Sequence, residues 1–491
     1  MKKIFIFLLL NFFVAGNLFA QKEDRNWVFG DSIGIDFNNL NSPILFSTTC
    51  SNAEANACYS DMTSGQLKLY FSSYIFSGYD DYGKIYNSQN QIINNGDSLK
   101  LNNSMSNGAV FIPMPSDSSL LYFFSIGLNL STQSNYLSYS TIDKNYNGGE
   151  GKILTKNFIL IDSITEHLVL VKHGNGRDWW LITKLMNTNI FVKYLIGING
   201  ISAPIFQTIG SASFRPEGEN SSSRNGDKLC FVSLYGNIDV FNFNRCSGEL
   251  TNWLELGDSP YDQPDPQGWG YYGCEFSMDG NRLYISRQKG SFPYHSNIIQ
   301  YSLDNVNPIN TKTDVLADRT GFILGRLQLA PNNKIYTIGQ PGPGFLDSSY
   351  QYLSVINSPD DSSIACDFNL FSYYLGGNYG IYGLPNMPNY NLGKLVGSPC
   401  DTLTSIQNEN LKTKSLIRIF PNPATEQLTI DNGQFTIAEI EITDVMGRII
   451  YKEQSHAHLS IIHCQLFSAG IYFVKVYKYD GSVEVRKFVK E

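Results

Sequence analysis

Three stretches of this chain set aromatic rings beside carboxylates. They are Asp258-Ser259-Pro260-Tyr261-Asp262-Gln263-Pro264-Asp265-Pro266-Gln267-Gly268-Trp269, then Tyr79-Asp80-Asp81-Tyr82, and Phe292-Pro293-Tyr294-His295. Rings stack on the apolar faces of sugars, and carboxylates accept hydrogen bonds from hydroxyls. The chemistry on offer is therefore a grip on carbohydrate, with Tyr261, Asp262, Asp265, Trp269, Tyr79, Asp80, Asp81, Tyr294 and His295 as the candidate ligand-binding residues. The plainer alternative is a rigid Pro-rich loop with ordinarily packed rings. Calcium held by the aspartates stays open, although the D-x-D-x-D-G pattern is absent; no other cofactor is expected.

Catalytic signatures are missing. No G-x-S-x-G, H-E-x-x-H or phosphate loop occurs, and Gly342-Pro343-Gly344 reads as a turn. His167 and His173 share a strand face with Asp178 just beyond, which is one arrangement for a general base and its orienting carboxylate. That spacing fits no zinc signature, and His173, Asn175, Gly176, Arg177 and Asp178 read better as a hydrogen-bonded hairpin turn. An enzyme whose paired carboxylates come from distant segments remains the rival reading, and the catalytic residues are then unknown.

What positions such loops is a repeat. Met278-Asp279-Gly280-Asn281 joins an apolar strand to the alternating strand Arg282-Leu283-Tyr284-Ile285-Ser286, a strong hairpin signal. The second strand of this unit recurs near Tyr70, Tyr122, Trp180, Phe231, Tyr284 and Tyr336, at spacings of 52, 58, 51, 53 and 52 residues. A period near 50 with period-2 alternation is the pattern of β-propeller blades and excludes helical solenoids. In the second unit the four strands read 108–115, 120–127, 136–143 and 157–162. Residues 27–30, 34–38 and 43–47 read as three strands of a blade lacking its inner strand, and 380–387 (GIYGLPNM) as the strand that completes it. The predicted architecture is all-β: a seven-bladed β-propeller closed by N- and C-terminal strands, followed by a small Ig-like β-sandwich. In a propeller the connections between blades share a face with the loops after the second strand, so the three aromatic–acidic stretches fall on one rim.

Lys2 and Lys3 precede an apolar run from Ile4 to Gly16, and Leu18-Phe19-Ala20 precedes Gln21, so 1–20 reads as a signal peptide. No stretch is apolar enough to span a bilayer. The domains follow as 1–20 signal peptide, 21–395 propeller, 396–415 polar linker and 416–491 β-sandwich. The net charge of −8 and the lack of a basic stripe argue against nucleic acid. An exported chain meets an oxidising compartment, so its eight cysteines are candidates for disulfides. Cys50 with Cys58, and Cys366 with Cys400 beside the closing strand, are the candidate pairs. Cys230, Cys246 and Cys274 compete among themselves, and Cys464 reads as a buried thiol.

The last 76 residues carry PNPATEQLTI (421–430), DVMGRIIY (444–451), SAGIYFVKV (468–476) and a terminal KFVKE. In this order they resemble the type A sorting domain of the type IX secretion system, a family of the phylum Bacteroidota. The resemblance implies export to the outside of the cell, with that machinery as a partner and with Pro421, Asn422, Pro423, Gly447, Gly470, Tyr472 and Lys487 as sorting-signal residues. Residues 26–38, 173–183, 245–250, 274–286 and 383–390 resemble an uncharacterised family of secreted propellers from the same bacteria, which implies no activity. Together these readings predict a secreted or surface-attached binding protein for a glycan or a cell-surface protein. A glycan hydrolase or lyase on the rim and a structural adhesion component are the alternatives.

Overall fold

The computed structural model describes residues 21–491 apart from 74–81, 214–216, 235, 258–268, 290–293, 342–347, 402–416, 432–436, 446, 456, 458 and 479–482. The chain divides into two compact units, 1–402 and 403–491. No helix among the described residues is long and apolar enough to cross a membrane.

In the first unit the described strands form seven antiparallel sheets in chain order. The first holds Asn26–Phe29, Asp31–Asp36 and Ile44–Ser51. The second holds Cys58–Ser60, Leu67–Ser72, Tyr82–Asn87 and Leu99–Lys100. The third holds Ala109–Met114, Asp117–Asn129, Ser134–Asp143 and Lys152–Ile164. The fourth to seventh open with Val169–Lys172, Asn220–Ser222, Trp269–Phe276 and Phe322–Leu329. Each of the six recurring segments found in the sequence is the second strand of its sheet, because a strand flanked on both sides carries the densest run of aromatic and β-branched residues.

Burial explains how the sheets assemble. Val28 of the first sheet shares a core with Cys58 and Tyr70 of the second. Phe71, Phe123 and Trp179 bind the second, third and fourth sheets together. Trp180 with Phe231, Val240 with Ile285, and Tyr284 with Leu324 continue the series to the seventh. The ring then closes on itself: Tyr336 and Leu353 of the seventh sheet pack on Trp27 and Phe37 of the first. Each sheet packs face to face on the next all round the ring, which is the propeller solution.

Closure differs from the strand exchange expected. Residues 380–387 form no ladder, and the first sheet keeps three strands. Instead this stretch runs along the axis. The Asp31 amide donates to Tyr379 O, Gly383 to Ala53 O, Asn386 to Asn56 O and Arg326 to Tyr382 O. Side chains then reach across: Asn386 Nδ2 donates to Asn107 O and Leu168 O, and Asn389 Nδ2 to Arg224 O. The Tyr382 ring meets Tyr272, with centroids 4.3 Å apart. Residues 379–390 thus touch all seven sheets. A segment that spreads its backbone bonds over several sheets cannot also form a regular ladder with one of them.

The axial segment ends in a covalent link, Cys246–Cys400, 154 residues apart in sequence. This corrects both expected pairings. Cys400 is carried to the fifth sheet's side of the axis, while Cys366 stays buried against the seventh sheet. Cys50 and Cys58 stand on different sheets as free thiols; the Cys58 thiol donates to Asn26 O at 3.0 Å. Cys464 is a buried free thiol.

The second unit has two sheets. Arg418–Phe420, Gln427–Asp431 and Leu459–His463 form one; Ile449–Gln454, Ile437–Asp444, Gly470–Lys478 and Val483–Lys490 form the other. Leu428, Ile430 and Ile462 of the first sheet pack on Ile440, Val474 and Phe488 of the second, which makes a β-sandwich. Pro421 and Pro423 follow the first strand, each after a cis peptide bond. Between them Asn422 Oδ1 accepts the Val489 amide at 2.9 Å and Nδ2 donates to Lys487 O, so the extended stretch is stitched to the final strand. Tyr472 stacks on Phe488 and donates to Ser468 O. Gly447 takes a left-handed turn conformation at φ 79°. Gly470 opens a strand opposite Lys490 without positive φ.

Candidate functional site

A pocket of about 350 Å³ lies between the second and third sheets. Its floor is set by strand register. Gly127, Tyr136 and Asp162 stand opposite one another on three neighbouring strands of the third sheet. The Tyr136 ring lies flat over Gly127: a Cβ there would come within 2.4 Å of the ring, so glycine is what admits the ring. Asp162, which lines the pocket, accepts Ser134 Oγ–H at 2.7 Å and the Ser163 amide at 2.5 Å, both on Oδ1, which leaves Oδ2 without a donor among the described residues. Tyr82, 57 % exposed, supplies a second ring from the first position of its strand. Asn102 and Asn129 complete the polar wall; each uses Oδ1 to cap a turn, which leaves its Nδ2 donors unspent among the described residues. Burial, and then Tyr82 and Asp162, push the Tyr136 phenol up, so it stays a hydrogen-bond donor. Two rings, an acceptor carboxylate and amide donors in a volume of this size are the equipment of a small polar-ligand site.

The structure treats the sequence candidates unequally. Tyr79, Asp80, Asp81, Tyr261, Asp262 and Asp265 lie outside the described residues, as does the side chain of Trp269, whose backbone opens the sixth sheet. Tyr82, the last residue of the first aromatic–acidic loop, lines the pocket. His295 is engaged elsewhere, with Nδ1 2.9 Å from Asp318 on the next strand of the sixth sheet, and Tyr294 is half-buried before it. Tyr136 and Asp162 were read only as strand residues. Their signal was available: an aromatic residue opposite a strand glycine.

The two histidines carry no chemistry. His173 Nδ1 accepts the Asn175 amide and Nε2 donates to Cys246 O, while Asn175 and Arg177 hold Asp178. His167 is buried between Thr165 and Val232 O, and burial lowers its pKa to about 3.

On the axis, Glu54, Glu166, Glu219 and Glu275 come together from four sheets. Glu54 accepts Tyr272 O–H at 2.6 Å, Glu166 the Ser106 amide at 2.9 Å, and Glu275 Ser221 O–H at 2.5 Å and the Leu329 amide at 2.9 Å. Neither carboxylate oxygen of Glu219 has a hydrogen-bond donor among the described residues; its cation is Arg326, 3.6 Å away. Burial raises Glu166 to about 7 and Glu219 to about 8. The cavity beside Glu275 and Arg326 measures only about 60 Å³, because Asn386, Met387 and Asn389 of the axial segment fill the channel. Sugar-sized sites need roughly 300 Å³ or more. Among the described residues no three His, Cys, Asp or Glu side chains are arranged to hold a metal ion.

These acids make stability pH-dependent. Their folded pKa lies above the unfolded value, so their contribution is complete below about pH 4.5 and is lost as pH rises through 7 to 8. Thermal melts should show the midpoint falling from pH 5 to pH 8, and Glu219→Gln should flatten that slope and raise the midpoint at pH 8. An unchanged slope would mean that Glu219 is ionised in the fold.

Residues 418–491 match the secretion system C-terminal sorting domain family. No curated protein matches the chain. Among solved structures the chain is similar to PorZ, a surface component of the type IX secretion system of Porphyromonas gingivalis, with 12% identity, TM-score 0.28, 96% of this chain and 81% of that one covered. It is also similar to a functionally unknown protein from Desulfotomaculum acetoxidans, with 10% identity, TM-score 0.39, and 74% and 100% covered. The Dos1 propeller gives 11% identity, TM-score 0.37, and 64% and 73% covered. The protein carries a type IX secretion sorting domain at residues 418–491 and is secreted or attached to the cell surface.

Proposed function

We propose that this protein is a non-enzymatic glycan-binding protein of a Bacteroidota cell surface. Residues 1–20 act as its signal peptide, and a seven-bladed propeller presents the pocket between the second and third sheets. The observation that carries this reading is the row Gly127–Tyr136–Asp162 with Tyr82 beside it: a stacking surface next to an acceptor with an open lone pair. The filled axis supports binding over turnover, because the four glutamates have no room for a sugar ring beside them.

The test is a glycan array probed with the full chain, with and without calcium, with products followed by mass spectrometry in the same wells. Binding without turnover is expected. Tyr82→Ala should weaken it by about tenfold to thirtyfold, the cost of removing one stacking ring at a ligand site. Tyr82 is exposed, so its loss leaves the fold intact. Turnover in the wild type, or binding indifferent to Tyr82→Ala, overturns the reading.

A further inference from the structure

At the far end of the axial segment a second pocket opens, of about 520 Å³. Four separate parts of the ring converge on it. Asp24 and Arg25 precede the first strand. Lys172 ends the inner strand of the fourth sheet, Arg224 sits in the hairpin turn of the fifth, and Asn391 belongs to the axial segment. Three cations and one acid line the wall, an excess of two positive charges on a chain whose net charge is −8.

The hydrogen-bond inventory says what is left to offer. Lys172 Nζ donates to Gln21 Oε1 at 2.7 Å and to Tyr390 O at 2.5 Å, which leaves one of its three N–H groups. Arg25 gives one Nη1 bond to Phe37 O, while its Nε is buried without a hydrogen bond, 3.9 Å from Asp24. The Arg224 guanidinium makes no hydrogen bond among the described residues, although its charge acts on the Asp24 carboxylate; its backbone carbonyl is used by Asn389. Asp24 is 7 % exposed: its Oδ1 is sealed from solvent, and neither carboxylate oxygen has a hydrogen-bond donor among the described residues, so Oδ2 is the acceptor left to a ligand. A buried acceptor without a donor is costly unless something supplies one. The wall therefore presents unspent cationic donors for an oxyanion and, beside them, an unspent acceptor for a hydroxyl.

We propose that this pocket binds an acidic sugar of the uronate class. Its carboxylate is taken by Arg224 with Arg25 and Lys172, and a ring hydroxyl donates to Asp24. A fork-shaped guanidinium matches a carboxylate in two parallel bonds, and the adjacent hydroxyl is what separates a uronate from a bare anion. The volume admits one or two sugar rings. The site is independent of the pocket between the second and third sheets and shares no residue with it.

The test is titration calorimetry of the full chain with D-glucuronate, D-glucose and inorganic phosphate at low salt. Glucuronate is expected to bind at least about tenfold more tightly than glucose or phosphate, and to weaken as salt is added. Arg224→Gln should weaken glucuronate by about tenfold or more, and Arg224→Lys by less, because it keeps the charge and loses the fork. Arg25→Gln is the second variant, and melting curves that overlay the wild type establish that each is folded. Tyr82→Ala should leave glucuronate binding unchanged, which separates this site from the other. No glucuronate binding at about 10 mM, equal binding of glucose, tighter binding of phosphate, or folded Arg224→Gln and Arg25→Gln chains that bind as the wild type would each overturn the assignment.

Discussion

Tyr390→Ala should destabilise the first unit by about 3–5 kcal/mol, the range for removing a large buried aromatic side chain. Tyr390 is fully buried although it belongs to a stretch without secondary structure. Its ring stands edge-on to Tyr59 and Trp179, with centroids 6.0 and 5.8 Å away, and its hydroxyl donates to Phe111 O at 2.7 Å. Removing it opens a cavity shared by the second, third and fourth sheets and orphans a carbonyl. Tyr374, half exposed on the outer strand of the seventh sheet, is the control; its alanine variant should cost well under 1 kcal/mol. Urea midpoints of the two variants decide the matter. A loss below about 1 kcal/mol for Tyr390→Ala would mean that the axial segment rests in the channel without holding it together.

The second large effect concerns the link at the end of that segment. Cys246–Cys400 closes a loop of 154 residues, and cross-links over such loops stabilise by about 2–4 kcal/mol. Cys400→Ser should lower the urea midpoint accordingly. Dithiothreitol should lower the wild-type midpoint to the same value and leave the variant unmoved. The six other cysteines are buried thiols, so a reductant has one target among the described residues. A wild type indifferent to reductant would contradict the pairing.

Much of the fold was legible because ladders leave a periodic trace. Tyr70, Tyr122, Trp180, Phe231, Tyr284 and Tyr336 mark the second strands since each is flanked by partners on both sides. The axial segment was misread for the same reason. Tyr382 and Leu384 sit two apart, as on one face of a strand, but their burial comes from the channel around them. Alternation reports which residues are covered, not what covers them. The central glutamates were invisible to any local pattern: Glu54 lies in the field of Glu166 and Glu219 although more than a hundred residues separate it from either, and only the fold sets them side by side. The cysteine pairing failed with the closing strand, since Cys400 travels with the segment that was misplaced. Of the pocket between the second and third sheets, Tyr82 was legible through its acidic neighbours, while Tyr136 and Asp162 needed the register.

The proposed function holds ligand beside Tyr136 and Asp162 and not at the glutamates on the axis. Calorimetric titration of the tightest oligosaccharide from the array into wild type, Asp162→Asn and Glu219→Gln tests it most directly. Asp162→Asn should lose about tenfold, the worth of a hydrogen bond to a charged acceptor, and Glu219→Gln should bind within error of wild type. Binding that survives Asp162→Asn and disappears with Glu219→Gln would instead place the ligand on the axis.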